Sequence, residues 1–95
     1  MQHHDGTVAL VTGGGTGIGE ACVTELAGRG ARVVVADLDG AQAERVAAAV
    51  RAGGGSAVGV RADVTVEADC AAMVDAALEA YGRLDVAVNN AGIGG

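Results

Sequence analysis

A chain of 95 residues can form one small domain but not two, and with 51% of its residues hydrophobic it can bury a core. Twelve acidic residues against six basic ones give a net charge of −6, which disfavours an electrostatic footprint for nucleic acid or anionic lipid. Arg, Asp and Glu break every apolar run before it reaches bilayer-spanning length, and no basic, apolar leader opens the chain, so a cytoplasmic protein is expected.

The first element is the apolar run Val8-Ala9-Leu10-Val11, followed by the glycine-dense turn Thr12-Gly13-Gly14-Gly15-Thr16-Gly17-Ile18-Gly19. A helix over roughly residues 17 to 29 follows, with an apolar stripe of Ile18, Cys22, Leu26 and Ala27 and a stop at Arg29-Gly30. Arg32-Val33-Val34-Val35-Ala36 is rich in β-branched residues without alternation, as expected of a strand covered on both faces. Asp37 ends it. Asp39 is placed to cap the second helix, with Gln42 three residues on to reach back. That helix turns Ala43, Val46, Ala47 and Val50 inward and stops at Gly53-Gly54-Gly55.

Ser56 to Ala62 reads as the third strand and Asp63-Val64 as its end. Thr65 is expected to cap a third helix whose stripe is Cys70, Met73, Val74, Ala77, Leu78 and Tyr81, with Glu67 and Asp69 suiting the positive end of its dipole. Leu84-Asp85-Val86-Ala87-Val88 begins a fourth strand that runs into Asn89-Asn90-Ala91-Gly92. The alternation β-α-β-α-β-α-β predicts an α/β fold, one half of a doubly wound parallel sheet with strand order 3-2-1-4. Helices one and two then cover one face and helix three the other. The crevice between strands one and four is the topological switch point, and the glycine turn and the Asn-Asn-Ala-Gly segment both open onto it.

A strand, a glycine turn and a helix N-terminus together make an anion cradle, because residues without a Cβ let the backbone approach a phosphate and the helix offers unpaired N–H groups. The spacing Thr12-Gly13-x-x-x-Gly17-Ile18-Gly19 resembles the cofactor loop of the short-chain dehydrogenase/reductase family, T-G-x-x-x-G-[IL]-G. Asn89-Asn90-Ala91-Gly92, after Leu84-Asp85-Val86, resembles the family's N-N-A-G at the end of strand four. The resemblance implies a partial Rossmann-type domain occupying residues 1–95, the N-terminal cofactor-binding part, and a cofactor site formed by Gly13, Thr16, Gly17, Ile18, Gly19, Asp37, Leu38, Asp63, Val64, Asn89, Asn90, Ala91 and Gly92. Asp37, eighteen residues after Gly19, sits where a carboxylate accepts hydrogen bonds from the adenosine ribose hydroxyls. A 2′-phosphate would meet a like charge there, and neither Thr16 nor Leu38 offers a cation, so NAD is expected over NADP. By the same resemblance Asp63-Val64 meets the adenine, Asn89 and Asn90 tie the strand ends and contact the cofactor ribose, and Ala91 and Gly92 leave room for the nicotinamide half.

The family's reaction is hydride transfer between the nicotinamide and an alcohol or carbonyl, with a Tyr as acid/base, a Lys four residues on that favours the phenolate, and a Ser that polarises the substrate. No such set is present: there is no Lys, the only Ser is Ser56 and the only Tyr is Tyr81 on the apolar stripe of helix three. No catalytic residue is therefore assigned, and a small alcohol or ketone substrate is expected only of a longer form. The alternative is a non-catalytic NAD-binding module, or an inactive fragment that needs a partner chain. Strand four as an edge invites self-association. Cys22 and Cys70 fall on apolar stripes and read as core packing, and His3 and His4 lack a third ligand, so no metal site is expected.

Overall fold

The β-branched runs and the amphipathic segments between them alternate as the sequence predicts. The computed structural model describes residues 6–15 and 17–90. It contains β1 (Val8–Thr12), α1 (Gly17–Gly28), β2 (Arg32–Asp37), α2 (Gly40–Ala52), β3 (Ser56–Arg61), α3 (Glu67–Tyr81) and β4 (Val86–Asn89). All pairings are parallel and the order is β3-β2-β1-β4, a partial Rossmann-type sheet. β1 and β2 are covered on both sides, which is why their sequences show no polar alternation.

Alternate residues of those strands feed two separate cores. Val11, Val33 and Val35 face α1 and α2, where they meet Val23, Ala43, Val46 and Ala47. Val8, Leu10, Val34 and Ala36 face the other way, onto Met73 and Ala77 of α3. The largest fully buried side chains are valines, each contributing roughly 1.5–3 kcal/mol by leaving water. Small side chains let helix and sheet backbones come close. A Cβ on Gly59, inside β3, would lie 2.8 Å from the Cα of Glu44 in α2, so glycine interrupts the strand where the helix rests on it. Cys22 packs against the first core and Cys70 against the second, where the Cys70 thiol also donates to the Val64 carbonyl (3.4 Å).

Several local details differ from expectation, the caps because a polar group found another partner and the apolar stripes because of how the helices dock. Asp39 caps α2, accepting from the amides of Ala41 (3.0 Å) and Gln42 (3.2 Å). Gln42 does not complete the box, because the Asp39 amide donates to Asp37 Oδ1 (2.9 Å) and Gln42 Oε1 accepts from Arg45 Nε (2.7 Å). Thr65 does not cap α3: its hydroxyl donates to Asp63 Oδ1 (2.6 Å), and the residue before the helix is Val66, which makes no side-chain cap bond. Ile18 is 64% exposed and off the packed stripe of α1, whose buried residues are Gly19 and Val23. On α3, Met73 and Ala77 are buried, whereas Val74 and Leu78 lie exposed on a flank that no described element covers.

The fourth strand begins at Val86 rather than Leu84. Asp85 lies outside it because its side chain closes the sheet instead: Oδ2 accepts from the Val8 amide (2.9 Å), and its own amide donates to the Val8 carbonyl (2.9 Å). The Arg83 guanidinium donates to Asp85 Oδ1 (2.8 Å). These bonds, from Arg83 first and the Val8 amide second, hold the Asp85 carboxyl below the usual carboxylate range. A depressed folded pKa means stabilisation that is complete above the unfolded value of about 4 and is lost as pH falls through the folded one. Asp85→Asn is therefore expected to flatten the acid limb of a stability-versus-pH curve below about pH 4, read by denaturant titrations from neutral pH downward.

Candidate cofactor site

All four strands point their C-terminal ends at one side of the molecule, and a cleft of about 540 Å³ opens there. Gly13 follows β1, β2 ends in Asp37 with Leu38 next, the segment after β3 brings Asp63 and Val64, and Asn90 follows β4. The first residues of α1, Gly17, Ile18 and Gly19, form another wall. The first-turn amides of a helix have no acceptor within it, so this wall suits an anion.

The glycine turn has the shape that an approaching phosphate requires. Gly13 and Gly17 have φ values of 66° and 57°, a region that side chains disfavour. A Cβ on Gly19 would stand 1.8 Å from the Gly13 carbonyl oxygen and 2.9 Å from the Gly14 Cα. The start of α1 thus lies directly on the turn. The Gly14 amide donates to the Ala36 carbonyl (3.1 Å), which ties the turn to β2.

Asp37 binds the turn as well. Its Oδ2 accepts from the Gly15 amide at 2.9 Å. The carboxylate is thus held from both sides, by Gly15 on one oxygen and Asp39 on the other, while lone pairs on each remain available to a ligand. Across the cleft, the hydroxyl and amide of Thr65 hold the Asp63 carboxyl below its usual range, so it stands as an ionised acceptor near neutral pH. Leu38 is 60% exposed on the cleft, an apolar surface open to a ligand. Val64 is half-buried on the same cleft.

The two asparagines divide their work. Asn89 pairs with Thr12 across the sheet, Thr12 Oγ1 donating to Asn89 Oδ1 at 2.8 Å, while the Asn90 amide donates to the Thr12 carbonyl at 3.2 Å. Asn90 Nδ2 is buried, lies on the cleft and has no acceptor among the described residues. A buried donor in that state costs about 1–3 kcal/mol, which an oxygen-bearing ligand would offset.

Of the sequence-predicted positions, nine converge on the cleft: Gly13, Gly17, Ile18, Gly19, Asp37, Leu38, Asp63, Val64 and Asn90. Asn89 stays in the sheet behind them. Thr16, Ala91 and Gly92 lie outside the described residues. Sequence reading missed Ala36, Ala62 and Thr65 on the lining, and Gly15 as the partner of Asp37. Ala36 and Ala62 carry no chemical signal, although their place at or just after the ends of β2 and β3 marks them. Tyr81 is at the far end of the sheet, 6.0 Å from the Arg32 guanidinium at the start of β2, and burial pushes its phenol above the usual value.

A parallel sheet of order β3-β2-β1-β4 with a glycine turn at its switch point, a carboxylate at the end of the second strand and a helix N-terminus facing the crevice is a partial Rossmann-type fold. The chain belongs to the short-chain dehydrogenase family, whose family model, "short chain dehydrogenase", matches residues 7–95. The maize sex determination protein tasselseed-2 is 53% identical over 90 residues, 94% of this chain and 26% of that protein. The Escherichia coli K12 7alpha-hydroxysteroid dehydrogenase is 41% identical over 91 residues, 96% of this chain and 36% of that protein. A crystal structure of an Escherichia coli hydroxysteroid dehydrogenase superposes with a TM-score of 0.93 at 40% identity, covering 98% of this chain and 40% of that one. A Burkholderia phymatum short chain dehydrogenase/reductase in complex with NAD superposes with a TM-score of 0.86, also at 40% identity, covering 92% of this chain and 31% of that one. The chain thus spans roughly a quarter to two fifths of the length of these relatives. No helix among the described residues is long and apolar enough to cross a membrane.

Gly19→Ala is expected to push the start of α1 away from the turn, since the atoms a methyl would meet are backbone. Overpacking of this kind costs about 1–3 kcal/mol, and a thermal melt of the variant beside the unmodified chain measures it.

Proposed function

We propose that this chain is the NAD-binding half of an oxidoreductase that moves a hydride between nicotinamide and an alcohol or carbonyl. The observation that carries the reading is the Gly15–Asp37 contact, which places an anchored carboxylate where the cleft meets the end of β2. Bound there, NAD would supply the hydride acceptor, or NADH the donor. The chain's own residues bind and orient. The turn from Gly13 to Gly19, with the start of α1, would hold the pyrophosphate, and the Asp37 carboxylate would accept from the ribose hydroxyls. Leu38 and Val64 would flank the adenine, with Asp63 accepting from its amino group. Asn90 Nδ2 would donate to an oxygen of the nicotinamide half, and the predicted roles of Thr16, Ala91 and Gly92 belong to the same reading.

NAD is favoured over NADP because the Asp37 carboxylate would face a 2′-phosphate across a few ångströms, and like charges at that separation cost several-fold in affinity or more. Acid/base chemistry is assigned to residues outside these 95. The only tyrosine has its pKa raised rather than lowered, and there is no lysine to favour a phenolate. The same fact favours the second reading, in which this chain on its own binds NAD without turnover.

Asp37→Ala is expected to weaken NAD at least about tenfold, the scale of losing hydrogen bonds to a charged group, and to narrow the preference over NADP. Calorimetric titration of both dinucleotides decides it, and equal affinities of the unmodified chain for the two would refute the assignment of Asp37. Among the described residues β4 is an edge strand with Val86 and Ala87 exposed, and pairing of that edge between copies is expected to give dimers in sedimentation velocity that a Val86→Lys variant lacks.

A further inference from the structure

The glycine turn is held from outside by a side chain that no motif announces. Arg45, in the second turn of α2, reaches over the turn with both ends of its guanidinium engaged. Nη2 donates to the Gly15 carbonyl (3.2 Å) and to Glu20 Oε1 of α1 (3.2 Å), and Nε donates to Gln42 Oε1 (2.7 Å). Gly15 is buried, and a Cβ there would lie 2.9 Å from Asp37 Oδ2 and 2.9 Å from Gln42 Cβ, so the turn is pressed against α2 at this residue. The carbonyl of Gly15 is therefore fixed by Arg45 and its amide by Asp37.

We propose that Arg45 is a positioning residue for the adenosine end of the cofactor site, clamping Gly15 so that its amide sets the orientation of the Asp37 carboxylate. This rests on the reading of the cleft as an NAD site. Arg45 need not touch the dinucleotide, since its effect passes through one residue, with the carbonyl of Gly15 on the guanidinium and its amide on the carboxylate. The geometry calls for Arg rather than Lys. Three acceptors on α1, the turn and α2 are met by a planar fork, whereas an ammonium on a flexible stem has no second nitrogen with which to span them. The ion pair with Glu20 is solvent-exposed, with side chains 53% and 40% accessible, and such pairs add little to stability. The contribution of Arg45 thus lies in placing the turn, not in holding the fold together.

The test compares Arg45→Met, Arg45→Lys and the unmodified chain by three readouts: NAD affinity by calorimetry, melting temperature, and hydrogen exchange of the Gly15 amide by NMR. Arg45→Met is expected to raise the Kd for NAD roughly 3- to 10-fold, the range of one net hydrogen bond, and to speed Gly15 exchange. The melting temperature should move by less than about 4 °C. Arg45→Lys should bind as weakly as Arg45→Met. Unchanged NAD affinity in a folded Arg45→Met variant overturns the proposal, and so does full recovery with Arg45→Lys. If the unmodified chain fails to bind NAD, the cofactor reading itself falls, and the Gly15 exchange rates still report separately whether the clamp exists.

Discussion

The structure depends on how closely the start of α1 lies against the turn that precedes it. At Gly19 that approach leaves no room for a single methyl group, the nearest obstacle being the Gly13 carbonyl oxygen. A larger residue there would lift the helix, and the other features at this end of the molecule would shift with it. The first-turn amides would leave the cleft wall, Val23 would withdraw from the core it shares with Val11 and Val35, and Gly15 would move off Asp37. The glycines therefore serve packing and ligand approach through one geometric requirement.

Around that contact the sheet acts as a divider. Alternation along β1 and β2 sends one set of valines to α1 and α2 and the next set to α3, so both sides of the central strands are dry. Polar groups gather where the strands end. The cleft carries two carboxylates of different character. Asp37 is tied to the backbone on both oxygens, and Asp63 is held ionised by its own turn through Thr65. A site built this way presents its acceptors already oriented, which lowers the ordering cost of binding.

The element order, the sheet order and most of the cleft were legible in the sequence because each rests on a local signal with a physical cause. Unbroken β-branched runs mark strands covered on both faces, and the glycine spacing and the paired asparagines mark the ends that face the switch point. What could not be read was the choice among competing partners. Thr65 has the composition of a cap, yet a carboxylate two residues away takes its hydroxyl. Gln42 has the spacing of a capping box, yet Arg45 takes its oxygen. Ile18 fits a helical stripe, yet the wheel turns so that Gly19 faces the turn and Ile18 faces the cleft. Spacing specifies which groups can meet, whereas tertiary distances decide which of them do. Arg45 carries no sequence signal at all, since its role exists only once α2 has docked beside the turn.

Thr12 pairs with Asn89 across a sequence separation of 77 residues, whereas its other neighbour in the sheet, Ala36, is far nearer along the chain. The β1–β2 pairing thus closes a short crossover, whereas the β1–β4 pairing closes a much longer loop at a larger entropic cost. Asn90, whose side-chain donor lies on the cleft, directly follows β4. The cleft is therefore complete only where that long-range pairing has formed. A ligand held by both Gly13 and Asn90 would add its binding energy only to the state in which β1 and β4 are paired, and so would favour closure of that long loop.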